Sequence, residues 1–481
     1  MSTNATKSAA CYTRLNLFLI LIAFCSSALI QAQNAPANHR PVKQDSAVMP
    51  TTELTGTAPN GFAATGNGIE YHGGPLMINP HNVYFIWYGN WSGNTATTIL
   101  PAFITGLSGS PYFSINTTYE NGSNSNIGSG VTMSGQTFNN YSNGSSFSDG
   151  TVQTIVQNAI LGGALPRDAN GIYFVLTSAD VNESNSSTNG FCTSYCGWHT
   201  HFSNFFTGGT DIKYSFVGNP DRCPSSCISF LNQSNGPNDN RGADGMADVI
   251  AHELSESVTD PDLNAWYHNS LSGENGDLCN FNMGSTFTAP NGTQANVTLN
   301  GRNFLIQQNW INDGGGGCAI ASTGNPFKFT SARDEFLTCF GIAGQIPSNC
   351  DSMSDVNDQQ MCRALSNTSQ GVSTAQSFCS SSMTDRNLQL SCFGIAAEPQ
   401  FPTNCRDITN PQMQAFCYGV SSGGTNPAPN CSTVVDPDAR ALCNGMALHD
   451  ASQCSSISNT NDQLFCQGVS SHNNSFCSSI Q

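Results

Sequence analysis

The chain has 481 residues, a formal net charge of −17 and only 15 Lys and Arg. A phosphate-binding surface needs clustered basic side chains, so this balance excludes a nucleic-acid partner and assigns the acidity to solubility or divalent cations. Only 10% of residues are charged while the chain carries 46 Gly, a composition suited to a turn- and strand-rich extracellular surface.

In chain order, Lys7 and Arg14 precede the apolar run Leu15 to Phe24 and small residues ending near Gln31-Ala32, which reads as a cleaved secretory signal over residues 1–32. The run is about ten residues, and a bilayer span needs about 20, so no membrane span is predicted. Residues 33–65 are Ala, Pro, Asn and Thr without periodicity and read as a disordered leader or propeptide. Cys11 and Cys25 leave with the signal. The even number of cysteines remaining in an exported chain argues for disulfides.

From residue 66 to about 325 a sheet domain is expected. Asn82 to Tyr88, Gly171 to Thr177 and Ile212 to Val217 are core strands, and Thr97 to Leu107 and Thr151 to Leu161 are helices. Asn121 to Gly144 is rich in Gly, Asn and Ser and reads as loops or turns.

Ala251 to Pro261 carries the densest chemistry. It is a variant of the zinc-hydrolase helix, in which two histidines one turn apart hold the metal and the intervening Glu is the base. Here Glu256 stands in the second histidine position. At 100° per residue, Met246, Ile250, Leu254 and Val258 form an apolar stripe. His252, Glu256 and Asp260 form a parallel ridge, with Glu253 between that ridge and the apolar stripe, Asp244-Gly245 starting the helix and Pro261 ending it. One face would pack on the sheet while its edge presents the ligands.

Glu274 or Asp277, in the loop Gly273 to Cys279, would complete the shell. Tyr267 and His268, between helix and loop, are the candidates for stabilising an oxyanion. A calcium site built from Asp260, Asp262, Glu274 and Asp277 is the alternative. Alternation along a strand would also place His199 and His201 on one face. Cys192, Cys196, Cys223 and Cys227 read as disulfides rather than a four-thiolate zinc site, and Cys279 is expected to pair with Cys318. No nucleophile elbow and no phosphate-cradling loop are found.

Residues 326–481 change character. Cys350 to Cys362, Cys379 to Cys392, Cys405 to Cys417, Cys431 to Cys443 and Cys454 to Cys466 recur at intervals of 12 or 13 residues. Cys339-Phe-Gly, Cys392-Phe-Gly, Cys417-Tyr-Gly, Cys443-Asn-Gly and Cys466-Gln-Gly repeat the unit end, giving tandem units of roughly 25 residues. Each unit reads as a helical hairpin started at pairs such as Asn410-Pro411 and Asp436-Pro437, with the repeated Gly as C-cap. Within a unit the chain must turn to bring its cysteines together, since 12 residues of helix span about 18 Å. Pairing across units, such as Cys339 with Cys350, is the alternative.

Gly73-Gly-Pro-Leu76, Val83 to Tyr88, Phe191 to His199, Cys223-Pro-Ser-Ser-Cys227, Asp244-Gly-Met246 and Val258-Thr-Asp-Pro261 occur in an order and spacing that resemble the EXORDIUM, or phosphate-induced, protein family. The resemblance covers about residues 73–320, and the Cys repeats lie outside it. It implies an exported protein of the kind associated in plants with the cell wall and growth control, without an established chemistry. His252 and Glu253 depart from the plant pattern and liken the chain to microbial members with a zincin-like helix.

The expected fold class is therefore α+β: a sheet domain with a zincin-like metal helix, then a small disulfide-rich helical repeat domain. The expected function is a secreted metal-dependent hydrolase, a zinc peptidase with His252 and Glu256 as ligands and Glu253 as general base, acting on an extracellular protein or peptide. The alternatives are a noncatalytic extracellular or wall-associated protein with a structural calcium site, and an adhesion or targeting protein acting through the repeats.

Overall fold

A computed structural model describes residues 68–481 except 122, 124, 269–272, 313–315, 328, 330, 354, 380–382, 384, 397–401 and 423–427. The signal and leader assigned from sequence lie outside the described residues. The architecture is mixed α+β, with a C-terminal helical region rich in disulfides.

The first core is built on a five-stranded sheet. Its strands are β1 (His81–Tyr88), β2 (Val131–Asn139), β3 (Gly171–Thr177), β4 (Gly197–Phe202) and β5 (Ile212–Gly218), in the order β4-β5-β3-β1-β2. β2, β1, β3 and β5 are parallel, while β4 runs antiparallel to β5. β3 and β5 are buried at every position and β1 at all but Asn82, which explains their near-continuous apolar runs. The helices α1 (Ala96–Leu107) and α2 (Asp149–Leu161) supply the crossovers that parallel neighbours require.

β2 lies inside the segment expected to be loop. It is an edge strand whose side chains alternate between half-buried and exposed, so its polar face hides its period of two. Around β4 and β5, the Cys192–Cys223 and Cys196–Cys227 disulfides tie the flanking loops together.

Helix α3 (Arg241–Thr259) packs on β4, β5 and α1. It begins earlier than expected, at the Asn240 cap, whose side chain accepts the Ala243 N–H. It also lacks an exposed edge, because every residue from Gly242 to Thr259 is buried. The side opposite the sheet is covered by the 273–311 segment, which the Cys279–Cys318 bond staples as expected. The polar ridge of α3 is therefore interior, and buried charges must be compensated there.

The second core consists of α4 (Ala332–Gly344), α5 (Val356–Ser366), α6 (Arg386–Ile395), α7 (Pro411–Ser421), α8 (Pro437–Leu448) and α9 (Thr460–Ser471). Asp355, Asp385, Asn410, Asp436 and Asn459 cap the starts of α5 to α9 through side-chain oxygens. The five repeated cysteine pairs bond within their units. Cys339 instead bonds Cys477, 138 residues away. Each helix packs on the next, and α9 packs back on α4. The array is a closed ring in which Cys477 opens a unit that Cys339 completes.

The repeated glycine is not a C-cap. Gly341, Gly394, Gly419 and Gly445 lie inside their helices, where a Cβ would sit 2.4–3.1 Å from the sulfurs of the next unit's disulfide. Gly468 bears the same relation to Cys339 and Cys477, so the packing rule holds for five of the six ring helices, with Ala364 at the equivalent position of α5. Against the sheet domain, Asn387 donates to the Thr117 carbonyl and Thr409 to that of Ile127.

Candidate metal centre

Three elements converge beside α3. β4 delivers His199, α3 delivers His252, Glu253 and Glu256 at helical spacing, and the 3-10 turn Asp277–Cys279 with the residues before it delivers Glu274 and Asp277. Glu253, Glu256 and Glu274 are 0% exposed, His252 2% and His199 3%. Two glycines permit this closeness: a Cβ on Gly276 would stand 2.9 Å from Glu256 Oε1, and one on Gly197 3.0 Å from Glu253 Oε1.

Glu256 faces both imidazoles with different oxygens. Its Oε1 is 3.0 Å from His252 Nε2, and its Oε2 is 3.4 Å from His199 Nδ1. Asp277 Oδ1 lies 3.5 Å from the same His252 nitrogen, and Glu253 Oε2 lies 3.5 Å from the same His199 nitrogen. Two triads, His199/Glu253/Glu256 and His252/Glu256/Asp277, thus place their ligand atoms within 4.8 Å of one another.

The tautomers follow from the surroundings. Gln307 donates Nε2–H to the Gly276 carbonyl at 2.8 Å, which turns its Oε1 toward His252 Nδ1 at 3.1 Å. An amide oxygen only accepts, so Nδ1 carries a proton and Nε2 is the nitrogen turned into the cluster. His199 Nε2 similarly faces the Asp260 carbonyl at 3.4 Å and Glu274 Oε1 at 3.6 Å, which leaves Nδ1 toward Glu253 and Glu256. His199 Nδ1, His252 Nε2, both Glu253 oxygens, Glu256 Oε2 and Asp277 Oδ1 are buried without a well-formed hydrogen bond, a concentration that native interiors rarely tolerate.

The electrostatics record the same crowding. Burial alone would lower the His199 pKa, but Glu253 and Glu256 outweigh it and raise it to about 10. Burial raises Glu253 to about 7 against the pull of the histidines. Glu256 falls to about 2 because His252 and His199 overcome its burial. Glu274 is pushed well above the carboxylate range by burial and by Glu256 and Asp260.

Of the residues singled out from sequence, His252, Glu253, Glu256, Glu274 and Asp277 come together. Asp260 sits at the helix end, where its Oδ1 accepts the N–H groups of Asn264 and Ala265, both at 2.6 Å. Asp262 lies elsewhere, against Lys213 and His201, so the four-carboxylate calcium set does not assemble as drawn. Tyr267 stacks on His72 at 3.7 Å, and the His268 N–H donates to the Gly273 carbonyl. His199 belongs to the centre although the ligand set expected on α3 and its following loop did not include it. The signal was its alternation with His201, but only the sheet order brings β4 beneath α3.

Residues 69–310 match the model of the phosphate-induced protein 1 conserved region. The chain is 29% identical to Protein EXORDIUM-like 5 of Arabidopsis thaliana, over 59% of this chain and 87% of that relative. It is 31% identical to Protein EXORDIUM-like 3 of the same plant, over 50% of this chain and 80% of the relative. Identity to Protein PHOSPHATE-INDUCED 1 of Nicotiana tabacum is 28%, over 41% and 67% respectively. No solved structure matches.

Proposed function

The chain belongs to the phosphate-induced protein 1 family, and on that premise we propose that it is a noncatalytic extracellular protein, acting at cell-wall material, whose sheet domain is built around a structural divalent cation. The observation that carries this reading is the closure of the centre: Glu253, Glu256 and Glu274 are 0% exposed. A catalytic metal keeps a coordination position open to water and substrate, whereas a structural one is enclosed by protein. Imidazole donors favour Zn²⁺ over Ca²⁺, which takes oxygen ligands, and the carboxylates of the centre also suit Mn²⁺. Nine disulfides among the described residues accord with an oxidising compartment, and no helix of the described residues is long and apolar enough to cross a membrane.

One observation favours the zinc-peptidase alternative. Burial brings Glu253 to about 7, where a general base works best at neutral pH. The two readings separate in one experiment, in which purified protein is treated with a chelator, melted by tryptophan fluorescence and assayed on a peptide library. Under the structural reading chelation lowers the melting midpoint, Zn²⁺ or Mn²⁺ restores it, and no peptide is cleaved. Cleavage that disappears in Glu253→Gln would establish the peptidase instead.

A further inference from the structure

Resting on that structural-metal reading, we infer that the centre binds two divalent cations rather than one, with Glu256 as the bridging ligand. One ion is held by His252 Nε2, Glu256 Oε1 and Asp277 Oδ1, the other by His199 Nδ1, Glu256 Oε2 and Glu253. The split is imposed by Glu256 itself, whose two oxygens face opposite imidazoles at 3.0 and 3.4 Å. A single ion cannot take both histidine lone pairs and also leave Glu256 directing one oxygen to each. A bridging carboxylate is instead the ordinary ligand of two-metal sites, whose ions lie about 3.5–4 Å apart.

Each half also has its own outer support. Gln307 holds His252 by the nitrogen turned away from the cluster, and the Asp260 carbonyl with Glu274 does the same for His199. Such outer partners orient metal-bound imidazoles, and here there are two separate sets for two separate ligands. His199 Nδ1 and His252 Nε2 each face two carboxylate oxygens at 3.0–3.5 Å, the separation that two ligands of one bound cation share.

Charge reaches the same count. Glu253, Glu256, Glu274 and Asp277 face the two imidazoles in a buried space. Metal binding takes up imidazole lone pairs and releases protons from the ligands, and against four ionised carboxylates one divalent ion leaves two uncompensated negative charges and two leave none. Uncompensated charge is costly to bury, so the second ion removes the remaining penalty. Asp248, one turn before His252, is engaged apart from this cluster by the Gln307 N–H at 2.6 Å.

The test is stoichiometry and coupling on the full chain. The protein is stripped with a chelator, reconstituted with Mn²⁺ alone, and examined by elemental analysis and electron paramagnetic resonance. Two Mn²⁺ per chain with an exchange-coupled spectrum are expected, and Asp277→Asn should fall to one Mn²⁺ with an isolated-ion spectrum. One Mn²⁺ per chain in the wild type, or two without coupling, overturns the bridged pair and leaves the structural-metal reading standing. No bound Mn²⁺, together with no metal in the protein as purified, overturns both. The wild-type measurement decides the matter even where the variant fails to fold.

Discussion

Removing the Cys339–Cys477 bond should cost the helical ring more than removing any hairpin bond, although both leave the same local hole. All four sulfurs of Cys339, Cys477, Cys405 and Cys417 belong to residues 0% exposed, and each bond abuts the glycine of the preceding unit, Gly468 or Gly394. The difference lies in the unfolded chain. Cys405 and Cys417 are 12 residues apart and Cys339 and Cys477 138. Loop-closure entropy assigns about 3 kcal/mol to the short bridge and about 5 kcal/mol to the long one at 25 °C. The five inner bridges shorten the effective long loop to roughly 80 residues, which lowers its share only to about 4.5 kcal/mol. Paired alanine variants, Cys339→Ala with Cys477→Ala and Cys405→Ala with Cys417→Ala, should therefore differ by about 1.5 kcal/mol. Guanidinium unfolding followed by far-ultraviolet ellipticity reads the helices. Tryptophan fluorescence reads the sheet domain separately, since Trp87, Trp91, Trp198, Trp266 and Trp310 all lie there. If the ring-closing pair costs no more than the hairpin pair, the ring closes through helix packing and the bond adds nothing to it.

Further tests address the packing rule and the seam. Alanine normally improves a helix interior over glycine by about 0.5–1 kcal/mol, but a Cβ on Gly394 would lie 2.4 Å from Cys417 Sγ and 2.7 Å from Cys405 Sγ. Gly394→Ala should thus destabilise the ring by about 1–3 kcal/mol, and a raised melting midpoint would dismiss the glycine–disulfide contact as the reason for the motif. At the seam, Glu335 of α4 is raised to about 8 by burial and by the Asp462 carboxylate of α9. The folded ring therefore keeps a proton that the unfolded chain releases. Its contribution is complete below the ordinary Glu pKa and declines as pH rises toward about 8. Glu335→Gln should flatten the dependence of the melting midpoint on pH across that window, and an unchanged slope would reject the seam as its source.

The buried parallel strands were plain in sequence because burial on both faces writes continuous apolar runs such as Val83 to Tyr88. The ligand spacing of His252 and Glu256 was equally plain, since one helical turn fixes it. β2 was hidden because an edge strand with polar residues outward has the composition of a loop. The complete burial of α3 was hidden too: the ridge of His252, Glu256 and Asp260 read as an edge presenting ligands, and only the covering 273–311 segment makes it interior. Cysteine spacing gave the hairpins but not the ring, since the pairing of Cys339 with Cys477 depends on how much each unit rotates the next.

The ring also governs how the molecule carries tension. A pull between the sheet domain and the far end of the ring crosses from Cys339 to Cys477 through one covalent bond. The 137 intervening positions, which the five inner bridges hold to roughly 280 Å of extended chain, stay out of the loaded path until that bond is reduced. An open row of the same hairpins would lengthen unit by unit under load. This one holds its length like a buckled strap, and gives way only when a thiol opens the buckle.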